Sequence, residues 1–499
     1  MRKIKKEINQ KLSADFSKVN EQIHYENFTT QKRKISKKKV ILATSLSLVG
    51  CASLCLVLIP VFSLFEVKGE IASIKKTYTI HEFQPIEQDT WQRLNHIQYP
   101  AFDSTQSKKQ NYTVSEEYVQ AMRQFASKIG NEMDFSKSNV IYSPMSLFAT
   151  LDFISTLTNQ SELKAVFDNL LSSSESLRSS CFDSAFRNNF YANQNGTVQM
   201  YQGFFSDYRR QINDAILPSL DQRYVEGYQL DFQKKKDVDR VLQWVDKHVN
   251  AKGFLNERDL EITDETAWIF FSTLYFSNKW NTKFIDENSK KEIFYGTQGE
   301  QEMTFMHHSY NCDSVYNYGS YLTFLDYYEN SYTIKYFVPT KSGDNIFDLI
   351  QGQNIFVDDE SKKMTPEIDE NDPYQSKGYI VDLKLPKFEV SYFQDFSDIL
   401  ANQGLARAFE KDSHSFDYTY QNLSKDESIY LKYVKQKSEI SMSETGTIVK
   451  SVTFAGANGA TSAPSIVRDT IRIELNQPFL YIIQDSNGLP LYVGSFNHA

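Results

Sequence analysis

The chain closes on NQPFLYIIQDSNGLPLYVGSFN, residues 476–497. Its FLYIIQD run (479–485) is apolar and rich in β-branched and aromatic side chains, which predicts a strand. Upstream, TIRIEL (470–475), YLKYVKQKSEISM (430–442), IVDLKLPKFEV (380–390), TIKYFV (333–338) and WIFFSTLYF (268–276) read the same way. Helical spacing appears around 395–409, in FSDILANQGLARAF, and at 114–129, where Tyr118, Met122, Phe125, Ala126 and Ile129 mark one face. After that helix comes a short strand-like NVIY (139–142), and Ser143-Pro144 then punctuates it and starts another helix, with Pro near the first turn where its missing N–H costs nothing. Helices early and strands late predict an α+β domain with a mixed or antiparallel sheet rather than alternating βαβ units.

The 36 Phe and 30 Tyr, against 19 Gly and 12 Pro, suit a sheet-rich globular body and exclude a collagenous or disordered class. The net charge of -9 hides an asymmetry. Residues 1–39 hold 12 Lys/Arg against 4 Asp/Glu, which leaves 42 against 59, or -17, for residues 40–499. An acidic body is a poor match for the phosphates of nucleic acid, and that class is set aside.

Residues 40–65, VILATSLSLVGCASLCLVLIPVFSLF, are 26 residues without a charge. A helix needs roughly 20 to cross a hydrocarbon core. With KRKISKKK (32–39) before it and Glu66 after it, the positive-inside rule puts residues 1–39 in the cytoplasm and all that follows outside the cell membrane. Two alternatives stay open: a bacterial lipobox at Leu48-Val49-Gly50-Cys51 with lipidation of Cys51, and a cleaved secretory signal. All three export the body. Residues 66–112 show no sustained period and are expected as a stalk, with the folded domain over 113–499. Of the cysteines outside the apolar run, Cys181 and Cys312 are expected as unpaired packing residues, although one bridge between them stays open.

No HExxH, GxSxG, phosphate-binding GxxxxGK[ST] or paired CxxC motif is present, so the sequence offers no catalytic residue, no metal site and no cofactor site. The adjacent His307 and His308 read as surface polar residues.

Six blocks, in order, resemble the serpins, the serine protease inhibitors: NVIYSPMSLFATLDF (139–153), FFSTLYFSNKWNTKF (270–284), VDLKLPKFEVSY (381–392), ILANQGLARAF (399–409), SEISMSETGT (438–447) and the closing 476–497. The resemblance implies a large central sheet, smaller sheets, surrounding helices and an exposed reactive loop at about 444–470. Together with the lipobox-like run it is consistent with a bacterial, membrane-anchored member. Ser143 and Ser146 match the shutter, the region beneath the middle of the main sheet, though capping at a helix start would explain them equally well. Ser272 and Gln436 stand where the family commonly has Asn and His, and a Ser/Gln hydrogen bond is expected in their place.

The family's mechanism implies that a protease cleaves the loop and is acylated, and that the loop then enters the main sheet as a strand. Such a strand needs small, uncharged side chains at every second position. Glu444, Gly446 and Thr447 match the hinge, with Gly446 expected to supply backbone freedom at a bend. Thr447, Val449, Ser451, Thr453, Ala455, Ala457 and Gly459 are all small, whereas the alternate set holds Lys450 and Phe454. Ile448-Val449 departs from the small residues usual after the hinge. Spacing from the hinge puts the scissile bond at Ala460-Thr461, suiting an elastase- or subtilisin-like protease. Counting back from NQPF gives Val467-Arg468 and a trypsin-like one. Three functions therefore compete: extracytoplasmic protease inhibitor, non-inhibitory surface binder, and a tethered hydrolase that lacks any nucleophile motif.

Overall fold

The computed structural model describes residues 91–102, 104–105, 109–366, 378–449 and 469–499. The expected tail, membrane span and first part of the stalk lie outside the described residues, among which no helix is long and apolar enough to cross a membrane.

The main sheet has eight strands. In chain order they are β1 (Gln92–Arg93), β2 (Tyr191–Asn193), β3 (Gly196–Asp207), β4 (Val225–Leu230), β5 (Trp268–Lys279), β6 (Phe388–Asp395), β7 (Lys435–Ser443) and β8 (Gly446–Val449). Across the sheet the order is β1-β4-β3-β5-β8-β7-β6, with β2 hydrogen-bonded to β3. Only the β3–β4 pair is parallel among these ladders, so the sheet is mixed. A six-stranded sheet includes Val140–Tyr142, Thr333–Pro339, Phe479–Gln484 and Pro490–Phe496, and a four-stranded sheet holds Lys290–Gly296, Gly299–Cys312, Tyr379–Pro386 and Thr470–Glu474.

Helix α1 (Glu116–Gly130) is capped by the Ser115 hydroxyl. Helix α2 (Pro144–Ser155) starts as its residues require, with the Ser143 hydroxyl accepting from the Ser146 N–H at 3.1 Å and Pro144 in the first turn. Nearly every residue of α2 is buried, because it runs through the core beneath the main sheet. On the opposite face, helix α3 (Lys235–His248) lays Trp244 against Phe205 and Phe271. Gly203 makes that approach possible: a Cβ there would stand 2.9 Å from the Trp244 ring.

Several expectations are corrected. The run 380–390 is two strands in two sheets, and the break follows Pro386, which has no N–H to continue a ladder. The stretch 395–409 is α-helical only over Ser397–Leu400 before it widens and then tightens, because Gly404 takes φ 106°. The ladder expected from 430 begins at Lys435. Residues 91–102 and 109–112, expected as stalk, pack on the body instead: Gln92–Arg93 pair with β4, and the Tyr99 ring stacks on Phe190 at 4.9 Å. Their aromatic side chains give them apolar surface to bury, which a free stalk would leave in water.

Candidate functional site

The first residues of the expected loop are already a strand. After a tight turn at Glu444-Thr445, β8 runs between β5 and β7, antiparallel to both, with Thr447 opposite Asn278 on one side and Met442 on the other. Sequence reading placed all of 444–470 in an exposed loop. Its signal was present in Thr447-Ile448-Val449, three β-branched residues that fit a pleated, half-buried surface better than the expected small ones.

The hinge is fitted closely. Gly446 lies so near β5 that a Cβ would stand 2.2 Å from the Asn278 carbonyl oxygen. Close approach, rather than freedom to bend, is what demands glycine there. Thr447 is fully buried, and its hydroxyl shares a 2.6 Å hydrogen bond with Tyr328. Tyr328 stacks on Trp280 at 4.5 Å, and the Trp280 indole N–H donates to the Ser443 carbonyl at 2.8 Å. Outside this cluster, Glu444 accepts from Lys387 Nζ at 2.9 Å and from the Ser289 hydroxyl at 3.0 Å. Burial pushes the Glu444 carboxyl up, but its own backbone N–H, Lys387 and Ser289 together hold it below its ordinary value.

The shutter residues lie farther down the same cleft. The Ser143 N–H donates to Gln436 Oε1 at 2.6 Å, and Gln436 Nε2 donates back to the Ser143 carbonyl at 3.1 Å. Ser146 Oγ donates to the Ser272 carbonyl at 3.0 Å. The expected Ser272–Gln436 side-chain bond does not form, because Gln436 uses both ends of its amide on the Ser143 peptide groups. Ser272 Oγ is left buried without a hydrogen-bond partner among the described residues. No ladder among them joins β5 directly to β7 below Phe276.

His308 is not a surface residue. Its ring is buried and stacks on Phe284 at 3.7 Å, with Nε2 3.1 Å from Asp326, while His307 on the other side of the strand is half-exposed and 2.8 Å from Asp382. Cys181 and Cys312 are unpaired, and burial pushes the Cys312 thiol up. No group of three or more His, Cys, Asp or Glu among the described residues could hold a metal ion. Ser451, Thr453, Ala455, Ala457, Gly459 and both candidate bonds, Ala460-Thr461 and Val467-Arg468, lie outside the described residues.

What the geometry offers is a strand already seated at one end of a cleft, with no nucleophile beside it. A family model described as Serpin (serine protease inhibitor) matches residues 120–499. The chain belongs to the serpin family. Serpins are typically protease inhibitors rather than catalysts, and some are non-inhibitory. Human Serpin B13 is 24% identical to this serpin over 391 residues, 72% of this chain and 93% of that one. Pig plasminogen activator inhibitor 1 is 23% identical, covering 56% of this chain and 70% of its own. Among solved structures, the thermophilic serpin tengpin in its native state aligns with a TM-score of 0.62 at 18% identity, over 79% of this chain and 97% of its own. Cleaved Serpin 42Da aligns with a TM-score of 0.61 at 15% identity, over 77% and 99%.

Proposed function

We propose that this serpin irreversibly inhibits a serine protease outside the cytoplasm, held to the membrane by residues 40–65, through cleavage of its loop and insertion of the loop into the main sheet. The register of β8 carries the reading. Continuing both ladders past Val449 brings Lys450 opposite Glu439 on the outward side, and Thr453 opposite Ser272 and Gln436 on the inward side. Insertion thus sets a cation beside a carboxylate and a hydroxyl beside the orphaned Ser272 Oγ. It leaves the small residues Ser451, Thr453, Ala455 and Ala457 facing the core. The 26 uncharged residues after a basic flank support the membrane location.

The test is to incubate the full chain in detergent with a panel of serine proteases and look for SDS-stable complexes, then sequence the N-terminus of the released peptide. Complexes are expected, with a new N-terminus at Thr461 for an elastase- or subtilisin-like enzyme. An N-terminus at Asp469 instead identifies a trypsin-like target and the Val467-Arg468 region. Cleavage without complexes overturns inhibition and leaves a surface binder. Alkali-resistant membrane fractionation tests the anchor, and a lipid adduct on Cys51 would replace the span with a lipoprotein.

A further inference from the structure

Residues 91–112 meet the body at two separate places. At the first, β1 pairs with β4, the Leu94 N–H donates to the Gly227 carbonyl at 2.9 Å, and Asn95 Nδ2 donates to Asp221 at 2.9 Å and to the Val225 carbonyl at 3.0 Å. The Tyr99 hydroxyl donates to the buried Glu226 carboxylate at 3.0 Å, which also accepts from Trp244 of α3. This anchor holds the outer edge of the main sheet. At the second, Lys109 Nζ donates to the Asn188 carbonyl at 2.9 Å and lies 4.5 Å from the Tyr332 ring centre. The Tyr112 N–H donates to Asn188 Oδ1 at 2.7 Å, and Asn487 donates to the Tyr112 carbonyl at 3.3 Å. Tyr332 and Asn487 flank strands of the six-stranded sheet. The segment therefore links two sheets.

For a strand to continue below Val449, the block β1-β4-β3-β5 has to stand apart from β7-β6 along its length. Packed layers of this kind shift as units between discrete arrangements. We infer that residues 91–112 are a fastener that ties the moving block to the six-stranded sheet and so restrains the opening of the main sheet. The inference rests on the insertion reading above. A fastener fails when either end is released, so releasing both ends adds little to releasing one. Mere local packing would give additive losses.

The experiment uses the full chain in detergent, with Asn95→Ala at the first anchor, Lys109→Ala at the second, and the double variant. It follows spontaneous insertion without protease, as the loss of proteolytic access to residues 450–468 together with a gain in heat resistance. Each single variant is expected to insert about tenfold faster than wild type, the scale set by losing one or two hydrogen bonds, and the double variant no more than about twofold beyond that. A disulfide between Gln92→Cys and Gln229→Cys, whose Cα atoms are partnered across β1 and β4, should restore the slow rate to Asn95→Ala but not to Lys109→Ala. Wild-type insertion rates in both single variants, additive rates in the double, or rescue of Lys109→Ala by the disulfide would each overturn the fastener. Failure of the insertion reading shows separately, as a wild-type chain that forms no protease complexes and never inserts.

Discussion

The hinge and the shutter lie on the same two strands and differ in almost every respect. At the hinge, between Phe276 and Lys279, β8 fills the gap, the Thr447 hydroxyl is bonded, and Gly446 leaves no room for a methyl group. At the shutter, Ser272 Oγ has no hydrogen-bond partner among the described residues. One end of the cleft is complete and the other waits for a residue. A buried hydroxyl without a partner costs about 1–3 kcal/mol. The difference locates part of the drive for insertion at the shutter and the resting position of the strand at the hinge.

The most direct way to break the comparison is to make the hinge unable to seat. Thr447→Arg places a charge where the native side chain is fully buried, at a cost of several kcal/mol. The expected outcome is complete loss of SDS-stable complexes with quantitative loop cleavage, read on a gel. Persistent complexes at wild-type yield would mean that β8 does not lead the insertion. Gly446→Val is expected to act next most strongly. Its Cβ meets the Asn278 carbonyl, so β8 should leave the sheet, which amide exchange at Thr447 and Ile448 would report as at least a hundredfold loss of protection, or about 3 kcal/mol.

Two hydroxyl deletions sharpen the contrast by their opposite signs. Tyr328→Phe removes the partner of a buried hydroxyl and should destabilise the seated hinge by about 1–2 kcal/mol. Ser272→Ala removes a hydroxyl that has no partner and should stabilise the native chain by about 1 kcal/mol while slowing loop insertion. Urea unfolding of the uncleaved protein reads the first effect. The rate of complex formation reads the second. Equal signs for the two variants would remove the distinction between the ends of the cleft.

How much of this was legible depended on the scale of the feature. Period-2 runs such as 268–276 and 479–485 announced their strands because alternation is local, and Ser143-Pro144 announced a helix start because capping is local too. The inward side of the loop could be counted from Thr447. What the chain could not announce was contact between distant residues. The β-branched Ile448-Val449 looked like a departure until β5 and β7 stood on either side. Gln436 turned from Ser272 to Ser143, a choice made by two peptide groups of another element. Trp91 and Tyr99 sat in a stretch without period, and only the edge of β4 and the ring of Phe190 reveal why they are aromatic.

The smallest expected effect concerns the clamp outside the hinge. Glu444 accepts from Lys387 and Ser289, and those partners hold its carboxyl below its ordinary value of 4.5 against the opposing push of burial. The folded state therefore binds that proton less readily than the unfolded chain. The clamp's contribution is present in full above about pH 4.5, and it is lost as pH falls through the lower folded value. Lys387 is half-exposed, so the whole contribution should not exceed about 1 kcal/mol. Acidification from pH 6 toward pH 3 should loosen β8 in the wild type, seen as rising amide exchange at Thr447–Val449 after correction for the intrinsic rate. Glu444→Gln should flatten that dependence while leaving Ser272→Ala as effective as before. A variant that keeps the full acid response would assign it to another carboxylate and leave the hinge held by Tyr328, Trp280 and Gly446 alone.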